Sequence, residues 1–184
     1  MSATLNAERF SEYFGGCPVV SIPGRAQPVQ EYRLEDALQV SGHIVLEGSD
    51  CAKKSSPRGD NNNDRMSKTA LRRLYPSPNY SKNVIDSLSV VNEAITNYEL
   101  IAELLQYICL NLEEGAILVF LSGMKEITTA MASLSKLPFF QDSSNAVIYP
   151  LHSSLSNKEQ TIIFTKPPPG KRKIVLSTNI AETR

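Results

Sequence analysis

The sequence of 184 residues has no excess of either charge, only three cysteines and no long apolar run. Its 19 basic and 19 acidic side chains give a formal net charge of zero, which excludes a globally basic nucleic-acid binder and leaves only local patches. No apolar run approaches the about 20 residues that span a bilayer, and the first residues are polar, so we expect neither membrane insertion nor secretion. Cys17, Cys51 and Cys109 lie too far apart in sequence for the paired ligands of a zinc site, and their odd number does not suit a disulfide framework. We therefore expect a reduced, intracellular protein without a metal centre.

Strand and helix patterns alternate in the second half of the chain. Apolar runs at 116–121, 146–149 and 174–176 predict strands, and the first run is continuous, which is typical of a strand covered on both faces. Helical spacing of apolar residues at 84–91, 100–108 and 127–134 predicts three helices, and a short helix is expected at 159–164. This order predicts an α/β fold with a parallel sheet and right-handed crossovers.

The first half of the chain is more irregular. Asn6 is the expected N-cap of a short helix that Gly15 and Gly16 end. Residues 19–22 predict a short strand and residues 29–34 an extended segment. Residues 48–70 contain almost no apolar side chains, so we expect a disordered insertion there. The insertion and the residues that follow it are locally basic. Such a pattern more often indicates a solvated linker than an arm that contacts RNA.

Small polar residues follow each of the three predicted strands. They are Ser122-Gly123, His152-Ser153-Ser154 and Ser177-Thr178-Asn179. Because working residues in open α/β sheets lie beyond the carboxyl ends of the strands, we expect these segments to share one edge. Hydroxyl groups and free N–H groups suit phosphate oxygens, so this edge is a candidate polyanion site. The alternative is that Ser122, Ser156 and Thr178 only cap the helices that follow.

Other chemistry has weaker support in the sequence. Residues 48–55 resemble a phosphate-binding loop, but Lys53 stands where the second glycine is required and Pro57 blocks the helix that must follow. His43 and His152 have no nucleophile at a motif spacing, so a hydrolytic triad has no support and both are expected to be satisfied core or loop histidines. The basic residues at 171–173 follow a stiff turn, and solvation is their expected role, with a phosphate contact as the alternative.

Several segments resemble the motifs of DEAH-type, RNA helicase A-like helicases. Ser2-Ala3-Thr4 is similar to the motif that couples the two lobes, and residues 17–32 are similar to the entry into the second RecA-like lobe. Residues 118–127 resemble the fourth motif, 151–164 the next one and 173–183 the fifth. The matches occur in the family's order over nearly the whole chain. Two departures are Ser122, where the family usually has Pro, and Arg184, where it usually has Ser.

The resemblance implies a RecA-like parallel sheet with flanking helices, as an incomplete second helicase lobe. Residues 1–14 would be the end of the first lobe and residues 15–184 part of the second, with 48–70 as the insertion. Family members bind ATP and Mg²⁺ between two lobes and single-stranded RNA across their tops, so RNA and a first RecA-like lobe are the implied partners. The implied roles are coupling for Ser2, Ala3 and Thr4, RNA contact for Ser122, Gly123, Ser153, Thr178 and Asn179, and approach to the interlobe cleft for Glu182 and Thr183.

The sequence lacks the family's phosphate-binding loop, its metal-binding acidic motif and the sixth motif with its arginine finger. Because phosphoryl transfer depends on positioning by these parts, we expect this chain alone to hydrolyse no ATP and to bind neither ATP nor Mg²⁺ tightly. Two alternatives remain at this stage. One is a non-catalytic module that holds RNA or a protein partner with the same strand-end hydroxyls. The other is an unstable truncated product, since an unpaired sheet edge promotes aggregation.

Overall fold

The structure is a computed structural model that describes residues 6–20, 28–53, 66–155 and 163–183. Residues 182 and 183 are described by their backbone alone. Within these ranges a helical part precedes a three-stranded sheet, and a 3₁₀ helix, Asn179–Thr183, follows the last strand. The elements in chain order are α1 (Ala7–Tyr13), α2 (Leu34–Ser41), α3 (Lys68–Leu74), α4 (Lys82–Val90), α5 (Tyr98–Asn111), β1 (Ile117–Phe120), α6 (Met124–Leu134), α7 (Pro138–Gln141), β2 (Ala146–Leu151) and β3 (Arg172–Ser177).

Side-chain caps set where the helices begin. Asn6 caps α1 because its Oδ1 accepts a hydrogen bond from the N–H of Arg9 at 3.0 Å, and Gly15 leaves the helix in the left-handed region at φ 73°. This confirms the predicted first helix. Asn97 caps α5 in the same way, by accepting from the N–H of Leu100 at 3.0 Å. The caps satisfy amide groups that would otherwise lack a partner at a helix start.

The three strands form one parallel sheet in the order β1-β3-β2. The last strand is therefore the central one, with Ile174 paired to Ile117 on one side and to Ile148 on the other. Its central place explains why Ile174 and Leu176 are fully buried. The predicted α/β fold with a parallel sheet is confirmed.

One face of the sheet carries the main core. Helices α5 and α6 pack there, and their side chains join the inward residues of β3 in one cluster of Ala102, Leu105, Ile127, Ala130, Leu134, Ile174 and Leu176. The opposite face is covered only in part, by Ile163, Ile180 and Ala181. Leu118 of β1 is 47% exposed and Phe120 is 53% exposed. The prediction that β1 is covered on both faces is wrong, because β1 is an edge strand and both helices lie on the same side.

A second apolar cluster joins α2 and α4 to the start of α5. Leu38, Val84 and Leu100 are buried in it together with Val45, Ala52, Val90 and Val91. The Asp36 carboxylate ties α2 to the chain before α4, because it accepts from the backbone N–H of Arg33 at 2.8 Å and from the hydroxyl of Tyr80 at 2.7 Å. These bonds hold the pKa of Asp36 below its usual value, and the same contact raises the pKa of Tyr80 to about 12.

The two described ends of the predicted insertion are ordered, which corrects the boundaries 48–70. Residues 47–52 form a turn in which Ala52 is buried and bridges to Val91 of the neighbouring segment. At the other end Ser67 caps α3, and the Lys68 ammonium pairs with Asp86 of α4 at 2.8 Å. Burial of a few apolar residues and tertiary pairing override the polar composition at these ends. Residues 54–65 lie outside the described residues.

Three smaller sequence expectations also differ from the structure. Leu34 begins α2, so the segment expected to be extended ends one residue earlier, where Arg33 is extended before the helix. Val19 and Val20 are not part of a strand, and residues 21–27 are outside the described ranges. Ile163 and Phe164 form a turn rather than the end of a helix, and residues 156–162 are likewise outside the described ranges.

Candidate nucleic-acid interface

The three polar strand ends meet at one edge of the sheet, as predicted from the parallel topology. The N–H of Leu121, which follows β1, donates to the carbonyl of Ser177 at 2.7 Å. On the other side the N–H of Thr178 donates to the carbonyl of Leu151, the last residue of β2, at 3.2 Å. The end of β3 is therefore bonded to both neighbours, and the three strand ends have a fixed spacing.

The predicted RNA-contacting residues differ in exposure at this edge. Ser122, Ser153 and Asn179 are exposed, Gly123 is half-buried and Thr178 is 8% exposed. Gly123 is the N-cap of α6, so the alternative in which Ser122 caps that helix is wrong. The edge thus presents hydroxyl and amide groups to solvent, with Thr178 forming its floor.

A side chain at Gly123 would meet the flexible end of a neighbouring side chain. A Cβ at this position would lie 2.9 Å from Oε2 of Glu126. Because the first turn of a helix favours negative charge, the Glu126 carboxylate is well placed near the start of α6. A side chain at residue 123 would therefore displace this carboxylate from the first turn.

The β2 corner is organised by a hydrogen-bonded histidine. Nδ1 of His152 accepts from the backbone N–H of Ser154 at 3.1 Å and lies 2.8 Å from the Ser154 hydroxyl. The N–H of Leu155 donates to the carbonyl of His152 at 3.1 Å, which closes a turn. The sequence placed His152 in one of the three strand-end segments but predicted no role for its ring beyond that of a satisfied core or loop histidine. Its place directly after β2 is the signal that marks it as part of the edge.

The basic run at 171–173 lies at the other end of the strands from the candidate site, where β3 begins. The Arg172 guanidinium donates to the carbonyl of Ile108, in the last turn of α5, at 3.3 Å and to the carbonyl of Glu113, just beyond the helix. The Lys173 ammonium donates to the carbonyls of Ile163 and Thr165, the latter at 3.0 Å. The expectation of solvated charges is wrong for Arg172 and Lys173, because helix-end and loop carbonyls accept their hydrogen bonds.

The segment that resembles a phosphate-binding loop does not fit ATP. Three of its described backbone N–H groups are already used, because those of Ser49, Ala52 and Lys53 donate to the carbonyls of Leu46 at 3.2 Å, Ser49 at 3.0 Å and Val90 at 2.8 Å. A phosphate cradle needs such groups to be free. Across the part of the chain that the structure describes, no three His, Cys, Asp or Glu side chains converge as metal ligands. These residues therefore do not fit ATP or Mg²⁺.

A groove of about 640 Å³ lies away from the strand ends, between residues 43–51, residues 95–99 and α6. Cys51 lines it, and burial raises the pKa of this thiol, with the carboxylates of Glu99 and Asp50 raising it further. The thiol is therefore protonated at neutral pH and is a poor nucleophile. The groove therefore supplies no activated thiol, and the strand-end edge remains the candidate site.

Some predicted site residues cannot be placed. Ser2, Ala3 and Thr4 lie outside the described residues. Glu182 and Thr183 belong to the 3₁₀ helix that follows the β3 corner, and their side chains lie outside the description. Their backbone continues from the candidate edge.

Comparison with known proteins gives a consistent result. Residues 97–183, from the N-cap of α5 to the 3₁₀ helix, match the model of the helicase conserved C-terminal domain. The whole chain aligns with the ATP-dependent DNA/RNA helicase DHX36 of Mus musculus at 42% identity and with the DExH-box ATP-dependent RNA helicase DExH1 of Arabidopsis thaliana at 38%. It covers 19% of each of these relatives, about a fifth of their length. Within the described ranges no helix is long and apolar enough to cross a membrane.

Proposed function

Because the chain belongs to the DEAH-type family of ATP-dependent helicases, we propose that it supplies one half of a single-stranded RNA clamp. The part that matches the family's C-terminal helicase domain contains this half. The carboxyl edge of the RecA-like sheet would hold the RNA backbone. The observation that carries the proposal is the meeting of three hydroxyl-bearing strand ends, bonded to one another through Ser177 and Thr178. Contacts of this kind position a strand without reading its sequence.

The exposed residues suit this role. The hydroxyls of Ser122 and Ser153 and the amide of Asn179 can donate to phosphate or ribose oxygens. Gly123 lies beside Ser122 as the N-cap of α6 and would contribute its backbone to the contact. The buried Thr178 would contribute its contact from the floor of the edge, where its backbone is already fixed by Leu151.

A first RecA-like lobe is the second partner in this proposal. Helix α1 has no buried residue, and the aromatic side chains of Phe10 and Tyr13 and of its C-cap residue Phe14 are exposed. Exposed aromatic groups on a short helix favour packing against a partner surface. This supports the assignment of residues 1–14 to the first lobe and of residues 15–184 to the second, with Ser2, Ala3 and Thr4 as the coupling motif.

ATP and Mg²⁺ would belong to the complete two-lobe protein, with Glu182 and Thr183 approaching its cleft. The relatives are named as ATP-dependent helicases, whereas the N–H groups of Ala52 and Lys53, in the segment that resembles a phosphate-binding loop, already donate to carbonyls of this chain. We therefore expect the chain alone to bind RNA without hydrolysing ATP. An intracellular location is part of the proposal, in keeping with three free cysteines.

The test is a titration of the ¹⁵N-labelled chain with a single-stranded oligouridylate, followed by NMR. We expect shifts at Ser122, Ser153 and Asn179. Combined replacement of Ser122 and Ser153 by Ala should weaken binding about tenfold, because each hydroxyl contributes about 0.5–1.5 kcal/mol. The matched control is Ser135→Ala, which removes an exposed hydroxyl whose bond to the carbonyl of Ala132 lies at the far end of α6.

Three outcomes would contradict the proposal. Shifts confined to α2 and α4, or no shifts at all, would exclude the strand-end edge as an RNA site. Equal losses of affinity in the control and in the Ser122, Ser153 double variant would show that the effect is not local to the edge. Loss only in the double variant supports the clamp.

A further inference from the structure

His152 is fixed in one protonation form by its hydrogen bonds. A backbone N–H can only donate, so the bond from Ser154 requires a lone pair on Nδ1. The hydroxyl of Ser154, 2.8 Å away, can direct its own proton to the same nitrogen. From this pattern we assign the neutral form that carries its proton on Nε2.

The other histidine of the chain has the opposite arrangement. Nδ1 of His43 lies 2.9 Å from the Glu103 carboxylate, which can only accept, so Nδ1 carries the proton. Its Nε2 lies 3.0 Å from Nδ2 of Asn97, whose amide orientation is set because Oδ1 caps α5. Nε2 of His43 therefore accepts. The two histidines provide an internal comparison within one molecule.

The Nε2–H of His152 has no hydrogen-bond partner among the described residues. The ring follows Leu151 directly, and the carbonyl of Leu151 binds the N–H of Thr178 at the centre of the candidate edge. His152 is half-buried as a residue, and Ser153 beside it is exposed. Within the described ranges His152 is therefore a donor whose proton is unused, next to the edge that we propose for the RNA backbone.

We propose that His152 is an RNA-binding residue that donates a neutral hydrogen bond from Nε2 to a phosphate oxygen, with Ser154 as the positioning residue that sets its form. The proposal rests on the proposed function of the edge and names one of its contacts. A phosphate is the ligand that fits, because it is an anionic acceptor and a protonated Nε2 cannot bind a metal ion. Being uncharged, this donor adds affinity without releasing a counterion.

Two substitutions separate the two nitrogens of the ring. Asn at residue 152 keeps an acceptor for the N–H two residues on, as Asn does in turns, but lacks a donor at the position of Nε2. Gln at residue 152 places an amide donor close to that position. We expect His152→Asn to weaken oligouridylate binding about tenfold or more, as for a hydrogen bond to a charged group, and His152→Gln to retain most of the affinity.

The salt dependence distinguishes a neutral donor from a cation. Loss of one cation–phosphate contact with a single strand lowers the slope of log K against log salt by about 0.7. We expect His152→Asn to leave the slope of the wild-type chain unchanged while lowering affinity at every salt concentration. A reduced slope would show that an imidazolium makes the contact, and would overturn the proposal.

The protonation form is read directly from the imidazole ¹⁵N spectrum of the wild-type chain. With only two histidines, we expect one ring with its proton on Nε2 and one with its proton on Nδ1, assigned by the loss of one set of signals in His152→Asn. A Nδ1–H form at His152 would overturn the proposal. If the wild-type chain binds RNA and His152→Asn binds equally well, the His152 contact fails and the clamp stands. If the wild-type chain binds no RNA, both fail.

Discussion

Replacement of Arg172 by Met tests whether the basic run at the start of β3 is structural. The guanidinium donates to two carbonyls at the end of α5, those of Glu113 and Ile108. Hydrogen bonds that involve a charged group contribute about 1.5–3 kcal/mol each, and a cation at a helix carboxyl end contributes about 0.3–1 kcal/mol more. Arg172 is only half-buried and its buried Nε has no partner among the described residues, which reduces the net value.

We therefore expect Arg172→Met to lower the free energy of unfolding by about 2 kcal/mol. In urea, where the slope is about 1–3 kcal/mol per molar, the midpoint should fall by about 1 M. Arg172→Lys should lose about 1 kcal/mol, because an ammonium keeps the charge near the helix end but cannot form the two-pronged contact. Both are measured by urea denaturation followed by far-ultraviolet circular dichroism.

Oligouridylate binding by the same variants gives the second half of the test. The opposite edge of the sheet holds the proposed RNA contacts, so folded Arg172→Met should bind as the wild-type chain does. A variant with unchanged stability and clearly weaker RNA binding would refute the reasoning, since the arginine would then face RNA rather than α5. Lys171→Gln serves as a neighbouring control with no described hydrogen bond to a helix end.

Three further predictions concern single side chains. Tyr80→Phe should raise the pKa of Asp36, which carboxyl NMR titration measures. A carboxyl group whose pKa is lowered by folding stabilises the protein above about pH 4, and this stabilisation is lost as the pH falls. The loss of stability in the variant should therefore become smaller in acid. Ser87→Ala should cost about 1–3 kcal/mol in urea denaturation, because it leaves the N–H of Val45, now bonded to the serine hydroxyl at 3.0 Å, without a partner. Leu118→Thr should change stability by less than about 0.5 kcal/mol yet reduce aggregation on light scattering, since this side chain is exposed on an edge strand.

Local chemistry predicted a large part of this structure. The Asn6 cap, the apolar stripe of α5 and the three apolar strands each depend on residues that lie close together in the sequence. The shared edge followed from parallel topology, because strands joined by crossovers have their carboxyl ends on the same side. Short segments of sequence were therefore sufficient to predict these helices and strands and the position of the candidate site.

The remaining features depend on contacts between distant parts of the chain. Arg172 meets carbonyls 59 and 64 residues earlier, and Ala52 bridges to Val91 across the polar segment. Neither pairing leaves a periodic trace in sequence. The exposure of Leu118 likewise depends on strand order and on both helices sharing one face, whereas the apolar run alone is the same for an edge strand and a central one.

The two edges of the sheet use their polar groups differently, and this difference shapes how the protein would hold RNA. At the start of β3 the cations of Arg172 and Lys173 are bonded to carbonyls of the same chain. At its end the exposed groups are mainly uncharged donors, and the nearby Glu126 carboxylate disfavours a dense cluster of phosphates. Binding by such an edge would have modest affinity and a shallow salt dependence. In the proposed clamp, weak and uncharged contacts by this lobe would allow easy release of the strand, and tight binding would require the second lobe.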